Sequence, residues 1–193
     1  MWQRICGETC KRISKNLYKK RYLFLTIILI LIILTLFVGL LKMLVILIIL
    51  AIANWITSYA ARAIPDYGTG IELIMLSTVI SGLGFGSKVG AVFGFVSALL
   101  YYYGTGRFSY HVTVLAPLYA CVGAIVPFFA QYPVFYIGVI ASIIYTIVSS
   151  ISVIIIFGAH LHKAIIFGIV NTFFNVIVFT YLAPVMMGLI SYL

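Results

Sequence analysis

Side chains able to carry out proton chemistry are scarce in this chain: three acids, Glu8, Asp66 and Glu72, and three histidines, His111, His160 and His162. Paired-carboxylate catalysis could involve only Asp66 and Glu72, both at the edge of a loop. His160 and His162 could contribute to a metal site, but a spacing of two on a helix points the rings apart. Neither a His-Glu-x-x-His helix nor a Gly-x-Ser-x-Gly turn is present. Cys6 and Cys10 stand four apart with no further ligands close in sequence, so they read as two thiols, reduced or acylated, and Cys121 as packing. These residues argue against an enzyme and call for no cofactor or metal. Binding chemistry fares better. Glu72 lies at the start of an apolar run, and an ionisable group in a membrane segment is a binding-site candidate by default. The alternative is an interfacial carboxylate paired with Arg62 or Arg107.

The elements that must hold Glu72 are set by composition. Of the 193 residues 65% are hydrophobic and 8% charged, against about 25% charged in a soluble domain. The chain reads as an all-α, polytopic membrane helix bundle, because long apolar runs in lipid must close their backbone hydrogen bonds internally. The short alternating segments of a transmembrane barrel are absent. Net charge is +9 and uneven. Arg4, Lys11, Arg12, Lys15, Lys19, Lys20 and Arg21 crowd the first residues, leaving Lys42, Arg62, Lys88, Arg107 and Lys163 for the rest. A basic tail ahead of an apolar run reads as cytoplasmic and bound to anionic lipid head groups; nucleic acid is not needed to explain it.

In chain order, residues 1–21 form the basic juxtamembrane tail and 22–41 an apolar helix, too long for a signal peptide and read as a retained span. Taken with the next run, to Ala61, it would make a helix of about 60 Å, twice the hydrocarbon thickness, so a break is expected at Gly39 to Lys42. Residues 42–193 then form a six-helix membrane domain, the preceding helix being extra. Arg62 to Gly70 carries a proline, two glycines and an aspartate and is the strongest loop signal. Ile71 to Tyr103 reads as two short spans with a tight turn at Gly84 to Lys88. On the second, Gly90, Gly94 and Ala98 recur every four residues and make a small-residue packing stripe. Further spans are expected over Val112 to Ala130, with Pro117 and Pro127 kinking or ending it, Val134 to Phe157, and Ala164 to Leu193.

Several of these residues carry a resemblance. Ile64-Pro65-Asp66-Tyr67-Gly68, then Ile71-Glu72-Leu73, then Gly82-Leu83-Gly84-Phe85-Gly86-Ser87-Lys88-Val89-Gly90-Ala91-Val92-Phe93-Gly94 resembles the pattern of substrate-capture subunits (S components) of energy-coupling-factor vitamin transporters. The resemblance implies a six-helix bundle binding a vitamin-like micronutrient near its outer face, with a transmembrane coupling subunit and ATPases as partners. It also implies a docking stripe of small residues on the first helix of the bundle, where this chain has Ala53, Thr57 and Ala61. The family pattern does not need the segment from Tyr22 to Leu41.

Orientation stays open. The family's topology places Lys88 inside and Arg62, Arg107 and Lys163 outside; a full crossing by Tyr22 to Leu41 then puts the basic tail outside, against the charge rule. Either way, alternating loops bring Arg62 to Glu72, Gly104 to His111 and Gly158 to Lys163 to one face. A polar ligand would find partners there, and Asn171 and Asn175, one helical turn apart, could reach it from below. The expected small-molecule site is therefore Glu72, Arg107, His111, Asn171 and Asn175, with Arg62 to Glu72 as a lid. The expected function is the membrane substrate-binding subunit of a micronutrient uptake transporter in the cell membrane. The alternative is a non-transporting structural subunit of a membrane complex, whose interior should be filled by side chains.

Overall fold

The computed structural model describes residues 2–62, 70–106 and 110–192, with side chains described from residue 28 onward except that of residue 36. All regular structure among them is helical: α1 (Trp2–Ala61), α2 (Ile74–Phe85), α3 (Ser87–Thr105), α4 (Val112–Ile125) continued by a 3-10 turn (Val126–Phe129), α5 (Val134–Phe157) and α6 (Leu161–Tyr192). Four stretches, Ile28–Ala61, Val112–Phe129, Val134–Phe157 and Leu161–Tyr192, are long and apolar enough to cross a membrane, consistent with a membrane protein.

The chain divides into two compact units, Met1–Met43 and Leu44–Leu193. In the first, every residue from Ile28 to Leu34 is exposed, two full turns without a covered face, so the helix shows an apolar surface on every side, as suits lipid. The break expected at Gly39 to Lys42 is not there, because α1 continues through it. A single glycine inside a helix costs only about 1 kcal/mol relative to alanine. Lys42 is exposed, where its long stem can carry the charge along the surface.

In the second unit, α2 occupies the middle. Nine of its twelve residues, Ile74 to Gly82, are buried, and it packs against α3, α4, α5 and α6. The chain reverses from α2 into α3 on Gly86 alone, at φ +89° and ψ 172°, a conformation open essentially only to glycine. Beyond it the glycines let backbones touch. A Cβ built on Gly90 would lie 2.5 Å from the Gly123 carbonyl oxygen of α4 and 2.6 Å from Gly82 Cα of α2. One on Gly94 would meet Thr78 Cγ2 at 2.8 Å and the Tyr119 carbonyl at 2.9 Å. Ala98, the next in step, is fully buried.

α5 and α6 form the other layer. The Phe179 ring sits where a Gly138 side chain would be, and Asn171 Nδ2 donates to Thr146 Oγ1 at 2.9 Å. These two antiparallel pairs fix the register and put Ser142 opposite Asn175.

One expected span is shorter than the sequence suggests. α2 has 12 residues, about 18 Å of helix against a hydrocarbon thickness of about 30 Å. The preceding residues, Gly70 to Leu73, are not helical. They are held in non-helical form by groups far along the chain, and those groups make up the site.

Candidate functional site

Glu72 is the starting point, being 1% exposed two residues ahead of α2. Its Oε1 accepts a hydrogen bond from the Tyr119 hydroxyl of α4. On either side of it the chain is pinned to other helices. A Cβ on Gly70 would lie 2.5 Å from the Asn171 backbone nitrogen of α6. The Tyr101 hydroxyl of α3 donates to the Ile71 carbonyl at 3.1 Å. The Leu73 carbonyl accepts from the Ser77 amide and from the Ser77 hydroxyl, each at 3.0 Å. Non-helical backbone inside a membrane bundle must find such partners from the protein, because lipid offers none.

The anchoring residues sit well inside their helices. Leu161 to Asn171 is about 15 Å of helix and Val112 to Tyr119 about 10 Å. Gly70 to Leu73 therefore enters the bundle before α2 begins, and Glu72 lies among helices rather than on the loop face.

Around the carboxylate are tyrosines. Tyr119 and Tyr145 are stacked with centroids 4.2 Å apart, and both are at most 2% exposed. Tyr102 and Tyr145 are close enough to Glu72 to interact with its charge. Tyr101 meets Tyr102 edge-on at 5.6 Å. From Tyr145 the polar groups continue between α5 and α6. Asn171 Nδ2 bonds Thr146, and Asn175 Nδ2 bonds Asn171 Oδ1 at 2.8 Å and the Asn171 carbonyl at 2.9 Å. The Tyr145 hydroxyl lies among those of Tyr119 and Tyr102, which partner it, whereas two buried atoms of this seam, Ser142 Oγ and Asn175 Oδ1, have no hydrogen-bond partner. Buried polar groups are normally satisfied, so two orphans facing each other in one seam mark a place where a partner is missing. A second buried contact, Asn54 Nδ2 to Ser77 Oγ at 2.8 Å, ties α1 to the start of α2 and leaves Asn54 Oδ1 unpartnered.

Of the five residues expected to bind a ligand, Glu72, Asn171 and Asn175 come together along this buried polar region. His111 does not join them. It stands at the start of α4, its ring 4.5 Å from those of Tyr110 and Phe157, and burial there holds the imidazole pKa below its ordinary range. Arg107 lies outside the described residues, as do residues 63–69 of the expected lid, Asp66 among them. Arg62 is not paired with Glu72: its Nε donates to the Gly104 carbonyl, and its guanidinium lies 5.5 Å from the Tyr59 ring centre. His160 and His162 are exposed and stacked at 5.6 Å. No group of three or more His, Cys, Asp or Glu able to hold a metal occurs among the described residues. On α1, Ala61 is buried and Ala53 and Thr57 are half-buried; the hydroxyl of Thr57 bonds the Ala53 and Asn54 carbonyls. What that end of α1 exposes is Ile52, Trp55, Ile56 and Tyr59.

The tyrosines are the part sequence reasoning missed. Tyr119 and Tyr145 each lie within an apolar run rather than at its end, and a buried tyrosine needs a partner for its hydroxyl. That was the available signal. Two apolar grooves also open between helices, one of about 580 Å³ between α4 and α5 at Val122, Phe129 and Ile140, the other of about 710 Å³ between α5 and α6 at Ile147, Ile154 and Phe173. Glu72 lines neither. Comparison of the chain with protein-family models, characterised proteins and solved structures finds no match.

Proposed function

We propose that this chain is the membrane substrate-binding subunit of an uptake transporter for a vitamin-like micronutrient, with no chemistry of its own. In this reading Leu44–Leu193 is a six-helix binding core, the helix before it is an accessory anchor, and the protein resides in the cell membrane with its basic tail in the cytoplasm. The observation that carries the reading is the convergence of Glu72, Asn171 and Asn175, each 1% exposed, on a seam with two unpartnered buried oxygens. A buried ionisable group and orphaned polar groups are expensive in an apolar bundle, so their placement together needs a reason beyond stability. A ligand supplies one. The short, pinned segment ahead of α2 adds to it: irregular backbone at depth is how membrane carriers build a polar site. A transmembrane coupling subunit and ATPases are the partners in this reading, and the exposed Ile52, Trp55, Ile56 and Tyr59 surface is where α1 would meet them.

The structural-subunit reading is favoured by a different observation. Tyr101, Tyr119, Tyr145 and Phe179 fill the interior and are at most 2% exposed. Native mass spectrometry of the full chain, purified from its own membranes, separates the two. The transporter reading expects one retained small molecule per chain, lost at least tenfold in Glu72→Gln and Asn175→Leu variants that melt like the wild type. A chain with no retained molecule that also fails to bring down ATPases or a coupling subunit from the same membranes would leave the structural reading.

A further inference from the structure

We infer that the ligand held at Glu72 carries a cationic, amine-type group whose N–H donors go to the Glu72 carboxylate, and that the site turns away carboxylates and phosphates. The inference rests on the substrate-binding reading above and adds the charge class of the ligand. It follows from the inventory of donors and acceptors. Glu72 is the single charged side chain among the described buried residues. Its bound neighbour is a neutral phenol, Tyr119, and the nearest basic residue in sequence, Arg62, is turned to the Gly104 carbonyl and the Tyr59 ring. A carboxylate removed from water needs a positive partner or several donors, and the described residues supply one donor.

The unsatisfied atoms have the matching character. Asn175 Oδ1 is an acceptor whose amide nitrogen is already committed to Asn171. Ser142 Oγ, also unpartnered, accepts as readily as it donates. An ammonium or amidinium group brings only donors, which suits the Glu72 carboxylate and these acceptors alike. An anionic ligand would meet like charge at Glu72 and acceptors at Asn175, with no buried cation among the described residues to balance it.

The test uses three probes of one shape and different charge: benzylammonium, benzyl alcohol and benzoate. Each is added at tens of millimolar to the full chain in lipid nanodiscs, and the melting temperature is read, because a ligand that binds the folded form raises it. Benzylammonium should raise it by a few degrees while benzyl alcohol and benzoate do not. Glu72→Gln should abolish the response, and Asn175→Leu, which removes the unpartnered acceptor, should reduce it. Equal or larger shifts with benzyl alcohol or benzoate, an undiminished response in Glu72→Gln, or no response to any probe would overturn the inference. Should Glu72→Gln fail to fold, the comparison of charges in the wild type still decides. A co-purifying neutral or anionic molecule would end this inference alone and leave the substrate-binding reading standing.

Discussion

At the scale of single residues the protein concentrates its polar costs. Thr146 shows how narrowly they are balanced, since its hydroxyl is the acceptor for Asn171 Nδ2 in a buried setting. Thr146→Val keeps the shape and removes the acceptor, orphaning an amide whose oxygen already serves Asn175. It should lower unfolding stability by about 1 kcal/mol, in the range of hydrogen bonds measured within membrane bundles. Thr146→Ser should cost clearly less. Reversible unfolding in mixed micelles compares them, and equal losses would mean that Asn171 is held by something other than the hydroxyl. Ser77 is a second hinge of the same kind, accepting from Asn54 while donating to the Leu73 and Ile74 carbonyls.

At the scale of elements the glycines set the distances. Gly90 meets Gly82 and Gly123 backbone to backbone, and Gly94 meets Thr78 and the Tyr119 carbonyl. A leucine at Gly94 would drive α3 away from α2 and α4, so Gly94→Leu should reduce folded yield and lower the melting temperature by several degrees, from about 1 to 3 kcal/mol or more of overpacking. An unchanged melting temperature would show that α3 can shift without loss. Gly86→Ala should also destabilise, by about 1 kcal/mol or more, because its positive φ admits alanine poorly; a cost no greater than that of Gly39→Ala would refute the argument. Much of this was legible in the sequence. Hydropathy placed the long helices from Val112 onward, Val134–Phe157 to the residue, and glycine clustering placed the turn that falls on Gly86. The end of α4 at Ile125 followed by a 3-10 turn answers to Pro127. What could not be read was the start of α2. Local composition favours helix through Ile71 to Leu73, and what prevents it is Tyr101 on the Ile71 carbonyl and Tyr119 on Glu72, 47 residues away in sequence. Nor could Gly39 announce that it sits inside a helix, since the same residue ends helices elsewhere.

At the scale of the whole molecule, the two units differ in kind. The described residues of the first unit, from Trp2 to Met43, belong to one helix, and Leu44–Leu193 has its own buried core. A chain beginning at Leu44 should therefore keep a melting temperature within a few degrees of the full protein in the same detergent. A large drop would show that the first unit takes part in the packing of the second. The pinned entry of Gly70 to Leu73 has a further consequence, for biogenesis. α2, at 12 residues, is too short to cross on its own, and Glu72 just ahead of it has no partner in the bilayer until Tyr119 has been made. The backbone it leans on at Asn171 comes later still. At translation rates of about 5–20 residues per second, the wait for Asn171 is of the order of 5–20 s. During that interval α2 is expected to remain at the insertion machinery or the membrane surface, settling between its neighbours only after α6 emerges. Ribosome-stalled chains ending before Tyr119 should thus leave a cysteine placed at Ile74 open to a water-soluble thiol reagent, and chains reaching past Tyr192 should protect it. Protection in the shorter chains would mean that α2 enters lipid without its partners.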